Sequence, residues 1–247
     1  RLPGPQDIWQ EAVSETVQRE IVMKIKKEEQ QMNIAIDGPA GAGKSTIAKL
    51  VAKEKGFVYV DTGAMYRGLA IHFLDQGIGA DEAEKITEAC RGVEVTIRYE
   101  DGQQQVYVNG KNVTFRLREE AVGNMASKSS AIPAVRAKLL ELQQELAKTQ
   151  DVIMDGRDIG TCVLPDADVK IFLTASVDTR ARRRYDELKA KGIACDLHEI
   201  TEDIVERDRR DSTREIAPLK QAEDAVLLDS SDMSIAEVVA AITQLCR

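Results

Sequence analysis

The segment that most constrains this chain is Gly38-Pro39-Ala40-Gly41-Ala42-Gly43-Lys44-Ser45, which satisfies the pattern GxxxxGK[ST] at every fixed position. Such a string works as a cradle of backbone N–H groups closed around a polyphosphate. Glycines stand where a Cβ would block the approach or where φ must be positive. Lys44 then reaches the β- and γ-phosphates, and the Ser45 hydroxyl faces a Mg²⁺ ion. The flanks agree with this reading. Asn33-Ile34-Ala35-Ile36-Asp37 reads as a short buried strand, and Ser45 to Lys55 as a helix with Ile47, Leu50 and Val51 on one face and Gly56 as its stop. Strand, glycine loop and helix N-terminus together make the anion site that a helix dipole favours.

A chain of 247 residues can form one large domain or a domain with an insertion. Its net charge of −8 argues against a protein that coats nucleic acid or an anionic membrane surface, while leaving room for a local basic cluster. Cys90, Cys162, Cys195 and Cys246 are far apart, without CxxC or a nearby His, so neither a zinc site nor a disulfide framework is indicated. No apolar run is long enough to span a bilayer and no secretory signal is evident, so a cytoplasmic protein is expected. Residues 1–31 differ in composition and read as a helical, non-catalytic extension, either an upstream segment foreign to the domain or a helix that Trp9, Val13, Val17 and Ile21 dock on the body; the main domain is expected over 32–247.

Along the rest of the chain, Phe57-Val58-Tyr59-Val60 reads as a second strand, turning at Asp61 into a helix that carries Thr62 and Arg67. Parallel strands bring such turns to one sheet edge, so both residues should face the phosphate loop, where a guanidinium can grip a phosphate with two N–H groups. From Val93 to Thr114 the residues alternate, with Asp101-Gly102 and Asn109-Gly110 as hairpin turns. This predicts a small antiparallel insert, followed by helices over about 116–131 and 133–149. Asp151-Val152-Ile153-Met154-Asp155 reads as a third strand, whose terminal carboxylate suits the water shell of a Mg²⁺ ion. Gly156, Arg157 and Asp158 follow it. A fourth strand is expected at 169–174 and a fifth at 225–229, and Ser234 with Glu237 reads as a capping box for the last helix. Between these strands, Arg207, Asp211 and Arg214 recur at helical spacing, as a lid closing on phosphates requires.

In that order, IDGPAGAGKST, DTGAMYR, DGRDIGT, PDADVKIFL, the ERDxRD run and APL resemble the bacterial cytidylate kinase family across nearly all of residues 33–247. The resemblance implies a P-loop nucleoside monophosphate kinase fold: a five-stranded parallel sheet flanked by helices, a small antiparallel β insert over about 80–132, and a helical lid over about 192–218. It implies ATP as phosphoryl donor, CMP or dCMP as acceptor, and a monomer. By the same resemblance Gly38, Pro39, Ala40, Gly41, Ala42, Gly43, Lys44, Ser45 and Thr46 hold ATP. Ser45 and Asp155 serve the Mg²⁺, Asp155 through water. Ser127, Arg136 and Asp158 read the cytosine edge, Arg207 and Asp211 the sugar, and Thr62, Arg67, Gly156, Arg157 and Arg214 the acceptor phosphate. Lys44, Arg157, Arg210 and Arg214 stabilise the transferring group. Another small-molecule kinase of the fold would share the phosphate loop without needing Ser127, Arg136 and Asp158 together.

Overall fold

The structure is a computed structural model and describes residues 31–246; the reading of Trp9 and its neighbours lies outside the described residues. Five parallel strands form the main sheet: β1 (Asn33–Asp37), β2 (Val58–Asp61), β6 (Val152–Gly156), β7 (Val169–Thr174) and β8 (Val226–Asp229). Their spatial order is β2-β6-β1-β7-β8, which puts β1, the strand that feeds the phosphate loop, at the centre. Side chains alternate across a strand. Ile34 and Ile36 of β1 and Ile153 of β6 accordingly join one apolar cluster, with Ile47 and Val51 of helix α1 (Lys44–Lys55) and with Val238 and Ile242 of the C-terminal helix, Ile235–Leu245. Ala35, Val152 and Met154 point the other way. They pack with Met65, Leu69 and Phe73 of helix α2 (Thr62–Asp75) and with Leu139 of helix α5 (Pro133–Thr149). Both sheet faces are thus covered, as an all-parallel sheet requires.

Between α2 and α5 the chain makes helix α3 (Ala83–Gly92), a three-stranded antiparallel sheet of β3 (Val95–Glu100), β4 (Gln103–Val108) and β5 (Lys111–Asn112), and helix α4 (Glu120–Ser129). Asp101 and Asn109 take positive φ at the two hairpin turns. The insert's apolar side belongs to the same cluster as α2 and α5, through Val106, Val108, Val122 and Met125. It is keyed to the main sheet by Gln104, whose amide donates to Asp61 O at 3.0 Å and accepts from Asp61 N at 2.9 Å, like a strand partner at the end of β2. Each such bond contributes about 1 kcal/mol. Gln104→Ala is therefore expected to lower the melting temperature by a few degrees, and a denaturation scan with unchanged Tm would show that this bridge is idle.

Two expectations need correction. The helix predicted over about 116–131 is a short 3₁₀ turn at Thr114–Arg116 followed by α4. The charged run after helix α6 (Val177–Ala190) is helix α7 (Leu197–Thr213), so Arg214 stands just past a helix end and not on its face, with extended backbone at φ −63° and ψ 141°. All four cysteines are free, with Cys162 exposed. Among the described residues no helix is long and apolar enough to cross a membrane.

Candidate active site

The site lies along the C-terminal edge of the sheet, where β1, β2 and β6 end in Asp37, Asp61 and the Asp155-Gly156 pair. Glycine is obligatory at the first loop position. Gly38 has φ 148°, and a Cβ there would come within 1.9 Å of Leu173 O. Gly43, at φ 91°, precedes the first turn of α1 and leaves that turn's N–H groups without side-chain caps. Lys44 is buried and donates to Pro39 O at 2.7 Å. Burial first, then the cations of Arg157 and Arg207, hold its ammonium pKa well below the ordinary lysine range. Asp155 and Asp37 offset part of this, and a polyphosphate would relieve the remainder. Thr46 is exposed at the start of α1.

Ser45 Oγ donates to Asp155 Oδ2 at 2.8 Å, and Tyr59 Oη donates to the other carboxylate oxygen at 2.8 Å. Thr62 Oγ1 donates to Asp155 O at 2.7 Å, tying α2 to the end of β6. Arg157 pairs through Nε with Asp211 Oδ2 of α7 at 2.9 Å. Arg67, Arg207 and Arg210 belong to the same electrostatic neighbourhood. Burial above all, then Arg157, brings the Arg207 pKa down to about 10. The Nε groups of Arg207 and Arg210 are buried and bond to no partner among the described residues, so although Asp211 offsets part of the positive charge, the cluster keeps donors to spare.

A second group stands beside it. Asp158 accepts a hydrogen bond from Arg136 Nη2, and Arg214 Nη2 lies 3.6 Å from its other oxygen. Arg136 also lies over the Tyr66 ring, 5.9 Å from the centroid. Ser130 Oγ donates to the backbone carbonyl of Ser127 at 2.9 Å, and the buried Ser127 hydroxyl has no hydrogen-bond partner among the described residues. Arg214, read from the sequence with the acceptor phosphate, is placed in this second group: Nη1 donates to Ser130 Oγ at 3.4 Å. The APL segment explains its aim. Ala217 turns at φ 47° and its carbonyl accepts from Arg214 Nε at 2.5 Å, which swings the guanidinium back under the lid.

Sequence reasoning passed over Tyr66, Ser130 and Asp37. Ser130 lies one helical turn after Ser127 and Tyr66 one turn after Thr62, so helical spacing could have found both. Asp37 ends β1 as Asp155 ends the neighbouring strand. It accepts from Ile159 N at 2.8 Å and Gly160 N at 2.7 Å and so fixes the loop that carries Arg157 and Asp158. Burial raises its pKa from the ordinary 3.8 to about 6. A raised carboxyl pKa means that the folded state binds more protons between those values, so its contribution to stability is full below about pH 4 and is lost as pH rises to about 6. The stability of wild type relative to Asp37→Asn is therefore expected to fall by roughly 3 kcal/mol between pH 4 and pH 7. Urea titrations at both pH values check this, and a constant difference would sink it.

The profile of the cytidylate kinase family matches residues 34–247. The chain belongs to the cytidylate kinase family. A cytidylate kinase from Caldicellulosiruptor saccharolyticus is 50% identical over 215 residues, which are 87% of this chain and 95% of that protein. One from Lactobacillus johnsonii is 49% identical over 225 residues, 91% of this chain and 98% of its own. One from Streptococcus pneumoniae strain 70585 is 51% identical over 209 residues, 84% and 94% of the two chains. Among solved structures, a shikimate kinase from Bacteroides thetaiotaomicron aligns over 87% of this chain and 98% of its own at 14% identity, with a TM-score of 0.44. Membership of the cytidylate kinase family makes the chain a phosphotransferase.

Proposed function

We propose that this cytidylate kinase family member transfers the γ-phosphate of ATP to CMP or dCMP, with the donor in the loop Gly38 to Thr46 and the acceptor between Arg157 and Arg136. The observation that carries the reading is two sets of polar groups unused among the described residues: the Nε atoms of Arg207 and Arg210, buried without a hydrogen-bond partner in the cluster of the Arg157–Asp211 pair, and the likewise unpartnered Ser127 hydroxyl, one turn before Ser130, which contacts Arg136 and Arg214. Phosphate chemistry suits the first. The second matches cytosine, which offers an N4 amino donor to Asp158 and N3 and O2 acceptors to Arg136 and Ser127.

An acceptor-phosphate oxygen attacks the γ-phosphorus in line, the bond to the β,γ-bridging oxygen breaks, and ADP leaves. The acceptor phosphate needs no general base. What the chain supplies is charge and position. Lys44 follows the γ-phosphate, Arg67 and Arg157 hold the acceptor phosphate with Thr62 and Gly156, and Arg207 and Asp211 hold the sugar. Arg210 comes from the lid, and an arginine placed on the transferring group can contribute on the order of 10³ or more in rate; Arg214, also from the lid, stands beside Asp158 where the base and phosphate sides of the acceptor meet. Closure of α7 keeps water from the γ-phosphate.

The residues fit a Mg²⁺ ion. One hydroxyl and one carboxylate, Ser45 and Asp155, meet beside the loop, and the described residues hold no cluster of three or more His, Cys, Asp or Glu able to build a metal cage. Few protein ligands, with phosphates and water completing the shell, is the usual Mg²⁺ arrangement. When bound, the ion neutralises charge on the phosphates. A monomer acting in the cytoplasm is the form the family resemblance implies, and it is the form proposed.

An acceptor panel tests the reading: CMP, dCMP, UMP, AMP and shikimate, each with ATP and Mg²⁺, scored by ADP release. Fastest release with CMP or dCMP is the expected result. A higher rate with another acceptor, or equal release with no acceptor, would overturn it.

A further inference from the structure

The glycine loop is braced from its outer side by α6, and that brace runs on into the lid helix. Arg180 is buried and bonds through all three guanidinium nitrogens. Nε donates to Ala175 O at 2.9 Å, Nη1 to Ala40 O at 3.0 Å, and Nη2 to Asp208 Oδ2 of α7 at 2.6 Å. Gly41 lies directly on it, since a Cβ at that glycine would sit 3.3 Å from Arg180 Cβ. A trans peptide plane points its C=O and N–H in opposite directions. Holding Ala40 O outward therefore turns Gly41 N–H inward, to the concave side of the loop where a phosphate oxygen would sit. Arg183 makes a longer contact of the same kind, Nη1 to Ala42 O at 3.5 Å, next to Gly43.

We infer that Arg180 is a positioning residue for the donor phosphates, and that Asp208 links its grip on the loop to the position of the lid helix. Asp208 directly follows Arg207 and lies three residues before Asp211, so the helix that bears acceptor-side groups also anchors the far end of the brace. Among the described residues its second carboxylate oxygen, Oδ1, is buried without a hydrogen-bond partner, so the carboxylate is held through Oδ2 by Arg180. Lysine could not replace Arg180, because one ammonium cannot span three acceptors on three segments in a fixed planar fork.

The inference rests on the reading of Gly38 to Thr46 as the ATP site, and calorimetry separates the two. The β,γ-methylene analogue of ATP and, separately, CMP are titrated into wild type, Arg180→Met, Asp208→Asn and the double variant. Arg180→Met is expected to weaken the analogue about tenfold or more, the effect of losing a charge-assisted bond to the loop, with CMP affinity within about twofold. Asp208→Asn is expected to weaken the analogue by about threefold to tenfold, and the double variant to be no weaker than Arg180→Met, as members of one chain of contacts behave. Asp208 is partly exposed, so its variant keeps the test open should the buried Arg180→Met lose its fold. Unchanged analogue affinity in Asp208→Asn, or equal loss of both ligands, overturns the inference. Failure of the wild type to bind the analogue would overturn the ATP assignment itself, and the inference with it.

Discussion

Lys44→Ala is expected to abolish phosphoryl transfer while leaving CMP affinity close to that of the wild type. The ammonium is buried at the mouth of α1 and donates to Pro39 O at 2.7 Å, a carbonyl of the loop itself. That contact is a resting position. With phosphates in the cradle the same ammonium has far stronger acceptors, and its charge moves with the γ-phosphate as transfer proceeds. Losing one such cation costs about a thousandfold or more in kcat. On the acceptor side the sign is different. Arg157 and Arg207 are the cations that press on Lys44, so its removal relieves repulsion beside the groups assigned to CMP. Affinity for CMP should hold or rise slightly. Calorimetry with CMP, together with a transfer assay, decides the matter. A loss of CMP affinity beyond about tenfold would place Lys44 on the acceptor side and undo the division of the site.

The parts of this fold that were legible in the sequence are those in which local pattern and tertiary role coincide. The phosphate loop is set by glycine conformation at Gly38 and Gly43 and by the apolar strand before it, all within a dozen residues. The Ser234 and Glu237 capping box is present with both its reciprocal bonds for the same reason. Helix α3 was passed over although its apolar residues do fall on one face: with only Ile86 and Cys90, one turn apart, buried among its ten residues, the signal is short. Strand order was not legible either: it depends on the register of β1 against β6 and β7, which lie more than a hundred residues away along the chain. Within the site, helical spacing brought Arg207 and Asp211 together but carried Arg214 along with them. What separates Arg214 is the left-handed turn at Ala217, whose carbonyl captures the Arg214 Nε. A non-glycine residue at positive φ gives little warning in sequence. Asp37 shows the complementary limit: its carboxylate is defined by two N–H groups from the far side of β6, and nothing near it in sequence announces them.

Replacing Asp158 by Asn should narrow the preference for CMP over UMP, and the structure sharpens why Asn is the informative choice. Asp158 does not hold Arg157, which pairs with Asp211 instead. It accepts from Arg136 and lies 3.6 Å from Arg214, so alanine would leave two buried guanidiniums facing each other without an anion and would damage the pocket for any acceptor. Asparagine keeps the shape and one acceptor oxygen. Its amide can also donate, and uracil carries an acceptor, O4, where cytosine carries the N4 amino group. The carboxylate meets the uracil O4 as acceptor against acceptor, a mismatch that costs roughly 1 to 3 kcal/mol. Relief of that mismatch, with a weaker bond to the cytosine amino group, should lower the CMP-to-UMP ratio of kcat/KM by about tenfold to a hundredfold. If Asp158 serves only to neutralise Arg136 and Arg214, both acceptors lose activity by the same factor and the ratio stays where it is. Measuring kcat/KM for CMP and UMP in wild type and Asp158→Asn separates the two roles, and an unchanged ratio would remove Asp158 from the groups that read the base.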